Sequence, residues 1–394
     1  MNRVMPVIKA WPLFLLLLSP YVLGAGISHI GELSFEPRYF TDKTVNSNSE
    51  NYKHNLSISI NSELLYENKA SKVFIHVFAR IDDQDSGRTH FDLRESYYQY
   101  LSDNFDLTLG IGKDFWGVTE SSHVVDVINQ VDALEDIDGD DKLGQPMARL
   151  NLFNEWGDVS LFLLPYFREK QFPNNNKRLA YPLPVNKAAN YEDSSENHLD
   201  HAIRYQNHFG NLDIGLSYFR GKNREPILIN MKDQIQPKYF LVSRSGLEMQ
   251  YTLNSWLLKV ESLIQKRKSE SFFSSTAGFE YTIYGLLGSH DWGILCEYQY
   301  ADKTNQLPAN LSDDDVFLGM RYSLNNSKDT MILLGTIFDR QDETLISNFE
   351  FETRLPNNLK LEFEGRFFSN VHGDNVIYPI RHDDFINFKL TTYF

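Results

Sequence analysis

The sequence has 394 residues, a formal net charge of −15 and an aromatic content of 14%, with 28 Phe and 21 Tyr. This acidic balance argues against nucleic acid as a partner, because binding to phosphates needs clustered Lys and Arg. The single cysteine, Cys296, excludes an intramolecular disulfide, and no cysteine spacing typical of zinc sites is present.

The amino-terminal residues have the order of a secretory signal peptide. Arg3 and Lys9 precede the apolar run of residues 11–18, and small residues follow at Gly24 and Ala25. The apolar run is too short for a transmembrane anchor, which needs roughly 20 residues. We therefore predict export, with cleavage after Gly24 or Ala25 and residues 1–25 as the signal peptide.

The rest of the chain lacks membrane helices but is rich in aromatic residues. After residue 25, no apolar stretch approaches the length that a membrane helix needs. A transmembrane β-barrel explains both features, because its strand residues face lipid and water alternately and its aromatic residues collect at the two membrane interfaces. We predict that residues 26–394 form a single barrel domain in the outer membrane of a Gram-negative bacterium, in contact with lipid and lipopolysaccharide.

Segments of about ten residues with alternating polarity recur along the chain. In the first clear example, Leu56, Ile58 and Ile60 alternate with serine and asparagine. The same period of 2 returns at residues 73–79, 107–111, 212–218, 256–260, 279–283, 292–298 and 359–367. This period fits better than the 3.6 of a helix. The predicted fold class is all-β, an antiparallel transmembrane barrel of about eighteen strands, with sixteen as the alternative because the count must be even.

The connections between these segments alternate in length. Short ones are rich in Asn, Gly, Ser and Asp, as tight turns require. Long ones are predicted at residues 41–54, 117–145, 169–197, 221–236, 301–313 and 369–383. This alternation predicts short periplasmic turns and long external loops.

Three details do not fit simple strands. Pro37 and Pro165 fall inside predicted strands, and we expect each to mark a bulge or a strand end, because proline cannot donate to the ladder. Residues 239–253 form one strand only if residues 243–246 form a bulge.

The long connection at residues 117–145, which would be the third external loop of the barrel, is strongly acidic. A third external loop that folds inward would narrow the pore, and a ring of carboxylates there would favour cations. The alternative is an ordinary solvated loop on the surface. The candidate constriction residues are Glu120, Asp126, Asp132, Glu135, Asp136, Asp138, Asp140 and Asp141.

Part of this loop is similar to a calcium-binding loop. Asp136, Asp138 and Asp140 alternate, and Gly139 provides a turn. The glycine at position six and the glutamate at position twelve of the complete motif are missing. A calcium site is therefore a secondary hypothesis beside a turn that is simply acidic, and no other cofactor is expected.

A second acidic run, later in the chain, is also explained more simply without a bound ion. Asp313, Asp314 and Asp315 are interpreted as acids that cap a strand above the lipopolysaccharide headgroups.

An enzyme has to be considered because Ser121, Ser122, His123 and Asp126 are close in sequence. Nucleophilic triads are normally assembled from distant positions. The sequence contains no HExxH, no Gly-x-Ser-x-Gly and no phosphate-binding glycine loop. We predict that the chain is not an enzyme, and we keep a barrel enzyme of the lipase or protease type as an alternative.

The segments 93–98, 107–117 and 126–132 together resemble a stretch shared by uncharacterised porin-like outer-membrane β-barrel proteins of Gram-negative bacteria. In those proteins an Arg-Glu strand precedes a Gly-rich strand that closes on Trp-Gly, and an element like Asn-Pro-x-Asp follows. This chain has Gln130 where proline is frequent. The resemblance implies a porin-like barrel and assigns no solute.

The same resemblance implies that several of these residues anchor the third loop to the inner wall. The alternative is that they form a buried ion pair and an interfacial tryptophan. The residues are Arg94, Glu95, Lys113, Trp116 and Gly117, together with Asp132.

The carboxyl-terminal segment reads as the closing strand of a barrel. Ile386, Phe388, Leu390 and Phe394 fall on one face, and polar residues occupy most of the other. We expect the final aromatic side chain to lie on the lipid face near the periplasmic rim, and the strand to be recognised by the barrel-assembly machinery.

The predicted function is passive passage of small polar solutes, with a homotrimer as one assembly open to such a barrel. The alternative that is not an enzyme is a plugged barrel in adhesion or scaffolding.

Overall fold

The structure, a computed structural model, describes residues 26–46, 50–192, 198–304, 306–308, 313–373 and 375–394. The predicted signal peptide lies outside these residues and stays a prediction. In the part of the chain that is described, no helix is long and apolar enough to cross a membrane.

The chain is almost entirely β-structure. Its strands are β1 (Ile27–Phe40), β2 (His54–Glu67), β3 (Ser71–Asp82), β4 (His90–Leu101), β5 (Phe105–Gly112), β6 (Gln145–Leu152), β7 (Asp158–Leu164), β8 (Asn190–Tyr191), β9 (Asp200–Phe209), β10 (Leu212–Lys222), β11 (Ile227–Asn230), β12 (Ile235–Tyr239), β13 (Leu241–Leu253), β14 (Trp256–Arg267), β15 (Glu270–Leu287), β16 (His290–Ala301), β17 (Asp314–Ser323), β18 (Met331–Asp339), β19 (Leu345–Leu355), β20 (Leu359–Ser369) and β21 (Phe385–Tyr393). A short 3-10 helix covers Tyr378–Ile380.

Eighteen of these strands form one antiparallel sheet that closes on itself. Each strand pairs with its neighbours along the chain, and β1 pairs with both β2 and β21, which removes the free edges. The remaining strands, β8, β11 and β12, form a small separate sheet within the loops that flank β9 and β10. The predicted all-β barrel is confirmed with eighteen strands, and the sixteen-stranded alternative is wrong.

The outer face of the barrel is apolar. Ile58 and Leu318 point outward from the middle of their strands, and their side chains are 52% and 59% exposed. Exposed apolar side chains of this kind recur around the sheet, as a surface in contact with acyl chains requires. Exposed aromatic residues lie near the strand ends; they include Tyr39, Phe91, Tyr98, Tyr100, Tyr251, Trp256, Phe273, Tyr298, Tyr300 and Phe338. The closed sheet and its apolar belt place the chain in the outer membrane.

The inner face is polar. In β2, Ser57 and Ser59 face the interior and are buried there, while Leu56 and Ile58 face outward. This alternation is the period of 2 that the sequence predicts, and its physical cause is the pleat of the strand.

One predicted bulge is wrong. The segment of residues 239–253 contains the end of β12 at Tyr239 and the whole of β13. The pairing of β13 with β10 and with β14 is continuous through residues 243–246. The break lies instead at Phe240, where the small loop sheet passes into the barrel.

The two prolines are accommodated differently. Pro165 follows the last residue of β7, so the predicted strand end is confirmed. Pro37 lies within β1 and pairs in register with Leu56 of β2. The pairing of β1 with β21 is interrupted at Glu36 and Pro37 and continues beyond them in the same register. Pro37 therefore interrupts that ladder without forming a bulge.

The connections mostly follow the predicted alternation. Long ones join β1 to β2, β5 to β6, β7 to β9, β10 to β13, β16 to β17 and β20 to β21. Residues 268–269 are an exception, because they connect β14 to β15 at the external end with a tight turn.

Candidate functional site

The connection between β5 and β6, residues 113–144, is called the third loop below, and it lies inside the barrel. It starts four residues earlier than the sequence predicts, because β5 ends at Gly112. Its side chains and backbone contact interior residues on many of the barrel strands; these are Arg38, Arg80, Arg94, Arg149, Arg204, Glu261, Glu297, Arg321 and Arg366.

One side of the third loop packs against the wall through apolar side chains. Val125, Val127 and Ile128 are at most 1% exposed and belong to a single buried cluster. The wall strands β6, β7, β9, β10 and β13 contribute the remaining members, which include Met147, Phe162, Ala202, Phe219 and Val242. The barrel therefore contains an apolar core on this side, where a simple pore would hold water.

Trp116 lies at the centre of that core. Its ring is fully buried, packs edge to face on Phe162 with centroids 5.6 Å apart, and lies 5.2 Å from the Arg204 guanidinium carbon. Its indole N–H donates to Asp114 at 2.8 Å. The structure thus places Trp116 in the interior of the barrel and not at a membrane interface. In the interior, Trp116 ties the loop to β7 and β9.

Gly117 follows with a φ of +151°, which disfavours a side chain. A Cβ atom there would lie 2.9 Å from Nδ1 of His123 and 3.0 Å from Oε1 of Glu261. Glycine is therefore required for the close approach of the loop to β14.

A β-bulge in β4 orients Arg94 and Glu95. The pairing of β3 with β4 shifts between His76 and Val77 and leaves Arg94 without an opposite residue. A bulge places two consecutive side chains on the same face. Both reach the third loop: Arg94 lies 2.6 Å from Asp132, and Glu95 accepts the backbone N–H of Lys113 at 3.2 Å.

Residues 117–123 form the first arm of the third loop, which crosses the barrel to β14, β16 and β17. Glu261 accepts the backbone N–H groups of Val118 and Thr119 at 2.7 and 2.9 Å. Glu120 pairs with Arg321 at 2.6 Å, and its backbone N–H donates to Glu297 at 2.8 Å. Wall carboxylates thus satisfy loop backbone donors that would otherwise be buried without partners.

Residues 134–140 form the second arm, which reaches the opposite wall. Glu135 pairs with Arg80 of β3 at 2.7 Å. Asp138 lies 2.6 Å from Arg366 of β20, and a carboxylate oxygen of Asp136 lies 3.6 Å from Arg38 of β1. These arginines face the interior next to one another on the wall.

The predicted ring of acids is therefore largely neutralised. Asp126 pairs within the loop with Lys142 at 2.9 Å, and Asp132 pairs with Arg94. Asp140 and Asp141 are exposed toward the lumen, and the described ion pairs include neither. Of the eight predicted constriction residues, six are paired with cationic side chains; those six are Glu120, Asp126, Asp132, Glu135, Asp136 and Asp138.

The acids of the segment similar to a calcium loop contact a guanidinium group of the barrel wall. Arg366 lies 2.6 Å from Asp138 and 3.6 Å from Asp136. The carboxylate that converges with these two is Glu364 of β20, and not Asp140. Asp140 instead donates its backbone N–H to Asp138 at 3.0 Å.

The serine, histidine and acid that are close in sequence point to different partners. The Ser121 hydroxyl donates to Glu297 at 2.5 Å, and Nδ1 of His123 lies 3.6 Å from Glu261. Asp126 pairs with Lys142. These contacts fix the first arm to the wall.

A second acidic feature lies on the wall at β19 and β20 and was missed by the sequence reasoning. Glu350 lies directly opposite Glu364, and Glu352 lies directly opposite Glu362. Like charges opposite each other destabilise a strand pair, and Lys360 bridges Glu352 and Glu362 at 2.8 and 3.0 Å. These five side chains are called the acidic wall below. The signal available was the polar face of the strand at residues 359–367.

The carboxyl-terminal strand has the predicted orientation. Ile386 and Leu390 pair with the outward-facing Tyr39 and Phe35 of β1. The Phe394 ring covers Gly31 on the same face, and the backbones of these two residues exchange hydrogen bonds at 2.8 and 2.9 Å. Phe388 is 36% exposed on the outer surface.

No protein-family model matches the sequence, and no curated protein is detectably similar to it. Several solved structures have a similar fold. One is Wzi, an outer-membrane protein involved in group 1 capsule assembly in Escherichia coli and a carbohydrate-binding β-barrel; it is 9% identical with a TM-score of 0.53, over 91% of this chain and 83% of that chain.

Two others are porins. OprB of Pseudomonas putida is 8% identical with a TM-score of 0.49, over 94% of both chains. A mutant of the Rh. blastica porin is 9% identical with a TM-score of 0.44, over 93% of this chain and 100% of that chain. The likeness to Wzi concerns the fold alone, which is that of an outer-membrane β-barrel.

Proposed function

We propose that the chain is a porin-like channel for passive passage of small polar solutes across the outer membrane, with a preference for cations. A closed barrel of this size leaves an aqueous channel unless loops fill it. The third loop packs its apolar side against the wall from β6 to β13, so the channel is expected on the opposite side.

The observation that carries this proposal is the acidic wall, where four glutamates face Lys360, Lys389 and Arg366, and Arg366 is shared with Asp136 and Asp138. The side chains of Glu352 and Glu362 are 37% and 29% exposed, so water reaches them from the lumen. Glu63 of β2, on the neighbouring interior surface, is 39% exposed. Carboxylates in a water-filled, low-dielectric channel concentrate cations and repel anions.

The acids of the third loop contribute less to this preference than their number suggests. The arginines of the wall neutralise Glu135, Asp136 and Asp138 at short range. Asp140 and Asp141 lack such partners among the described ion pairs, so they are the loop residues that we expect to act on a passing ion.

Reconstitution in a planar bilayer under a KCl gradient tests the proposal. The wild-type chain should give steady conductance steps and a reversal potential on the cation-selective side. Glu352→Gln combined with Glu362→Gln should move the reversal potential toward zero. Glu155→Gln, in the exposed turn between β6 and β7, is the matched control and should leave it unchanged.

Asp140→Asn with Asp141→Asn tests the loop separately. This pair is a cleaner choice than Asp136→Asn with Asp138→Asn, which would also break the ion pairs with Arg38 and Arg366 that hold the second arm. An unchanged reversal potential in both the wall and the loop variants would contradict the cation preference.

A plugged barrel in adhesion or scaffolding is the second candidate, and the clamping of the third loop favours it. The two arms bond to strands on opposite sides of the barrel. A folded, inserted protein that gives no conductance would support the plugged barrel and reject the channel.

A further inference from the structure

The external ends of β17 and β18 hold three carboxylates on the interior face of the barrel. They belong to Asp313, Asp315 and Asp339, and we propose that they bind a hard divalent cation, with calcium as the best fit. The sequence analysis read Asp313 to Asp315 only as strand-capping acids. The structure separates them, because Asp314 points to the outer face while Asp315 points inward.

The three carboxylates converge on one point. Each offers an oxygen atom, and these atoms all lie within 4.8 Å of one another. Calcium binds oxygen at roughly 2.3–2.6 Å, so oxygens on opposite sides of one ion lie about 5 Å apart. Asp315 and Asp339 are directly opposite in the β17–β18 ladder, where two like charges repel unless a cation lies between them.

Buried oxygen atoms without partners occur on Asp315 and on the residue paired with it in β16. Asp315 is 0% exposed, and its Oδ1 has no hydrogen-bond partner among the described residues. Gln299, opposite Asp315 in the β16–β17 ladder, is also 0% exposed, and its Oε1 is unpartnered in the same sense. Its amide N–H₂ is already engaged, because it donates to Ser121 at 2.6 Å. A buried oxygen without a donor is costly, and a bound cation would remove that cost.

The charge balance distinguishes this cluster from the others. Two further groups of converging ligands occur in the described chain, around Glu135 and around Asp138, and each contains an arginine partner. The cluster at β17 has only Lys303, which lies 2.7 Å from Asp313 and is 57% exposed. Asp315 and Asp339 have no cationic partner among the described ion pairs, so two carboxylates remain uncompensated.

Calcium suits this set better than magnesium. Calcium accepts six to eight oxygen ligands in adaptable geometry, whereas magnesium requires a near-octahedral site and keeps several waters. The protein supplies three carboxylates, and water from the mouth of the barrel can complete the coordination. One oxygen of Asp339 already accepts the backbone N–H groups of Gln341 and Asp342 at 2.7 and 3.2 Å, which holds that carboxylate in place.

Calorimetric titration of the folded barrel in detergent with calcium chloride, after removal of divalent ions with a chelator, tests the proposal. The wild-type chain should bind calcium at one site. Loss of even an outer-shell partner of a metal weakens binding by roughly 10–100-fold, so Asp315→Asn should weaken it at least about tenfold. Asp339→Asn should have the same effect and serves as a second variant if the first does not fold.

Asp314→Asn is the matched control. Asp314 neighbours both ligands in sequence but bonds outward to Arg340 and Tyr298 at 2.9 and 2.8 Å, so its replacement should leave calcium binding unchanged. Asp138→Asn tests the loop segment similar to a calcium motif and should also leave binding unchanged.

A thermal melt gives an independent readout. A ligand that binds only the folded state raises the melting temperature, so calcium should raise that of the wild-type and Asp314→Asn chains but not that of Asp315→Asn. Absence of calcium binding by the wild-type chain would overturn the proposal, and the aspartates would then be sharing protons. Binding that is lost in Asp138→Asn and retained in Asp315→Asn would also overturn it.

Discussion

Arg94 occupies the extra position of a bulge, and this single residue determines how the third loop is held. Without the bulge, Arg94 and Glu95 would face opposite sides of β4, and one of them would enter the lipid. With it, both contact the loop, and Arg94 also lies 3.7 Å from Asp92 on its own strand. The Arg94–Asp132 pair is 5% and 2% exposed, so neither charge can turn to water if its partner is lost.

Asp132→Asn should release part of the third loop. Breaking a buried ion pair by removing one partner costs about 3–5 kcal/mol, because the remaining charge stays buried. We expect faster proteolysis within residues 113–144 of the variant, with the barrel still folded. Asp329→Asn provides the control, since it breaks an exposed pair with Arg354 that contributes little. Equal cleavage rates in the two variants would show that the Arg94–Asp132 pair does not hold the loop.

At the scale of elements, the strands could be predicted from the sequence and the path of the third loop could not. Each strand carries its own signal, because lipid on one side and a polar interior on the other impose the period of 2. Val125, Val127 and Ile128 gave no such signal, since their partners Phe162, Phe219 and Val242 are far away along the chain. Composition showed the loop's acids, but only the fold pairs them with arginines.

The residues that anchor the third loop could be predicted from the sequence, because the resemblance pointed to Trp116, Gly117 and the Arg94–Glu95 dipeptide. The acidic wall could not be predicted, because the opposition of Glu350 and Glu364 depends on the register between β19 and β20. Register follows from pairing along the whole ladder and cannot be read from one strand.

Docking of the third loop should depend on pH. Burial, with the neighbouring Asp136, raises the pKa of Asp138 to about 7 despite Arg366. A carboxyl group with a raised pKa stabilises the docked loop when protonated, and this contribution is lost as the pH rises through that pKa.

The shifted pKa of His123 also favours docking of the third loop at low pH. Burial alone would lower its pKa, but the carboxylate of Glu261 outweighs burial and raises it. Docking therefore takes up protons at Asp138 and His123, and the loop should be held more tightly at pH 5 than at pH 8.

Single-channel recording across this pH range checks the expectation. The conductance and its fluctuations should both decrease as the pH is lowered from 8 to 5, because the docked loop narrows the lumen. Asp138→Asn should flatten part of this dependence, whereas Glu155→Gln should leave it unchanged. A conductance that increases on acidification would contradict the assigned direction.

At the scale of the whole molecule, the barrel divides its interior into two unlike halves. The wall from β6 to β13 carries the apolar cluster and binds the third loop. The wall formed by β19 and β20 carries paired carboxylates and water-exposed side chains. Four glutamates thus face the side of the lumen where solutes would pass, whereas the apolar cluster is directed to the third loop.

The outer belt makes a prediction about the membrane that is independent of the lumen. Leu318 lies in the middle of β17, points outward and is 59% exposed. An arginine at the bilayer midplane of a barrel costs about 2–4 kcal/mol. Leu318→Arg should therefore lower the free energy of unfolding in lipid vesicles by about that amount, as measured by urea titration.

The same substitution in a turn provides the comparison. Asn154→Arg makes the same charge change in an exposed turn, where it should change the free energy of unfolding little. Because both variants add a single arginine to the surface, a difference between them reports the surroundings of residue 318 and not the added charge. Equal stability of the two variants would mean that Leu318 faces water, and β17 could not then be part of a membrane-spanning wall.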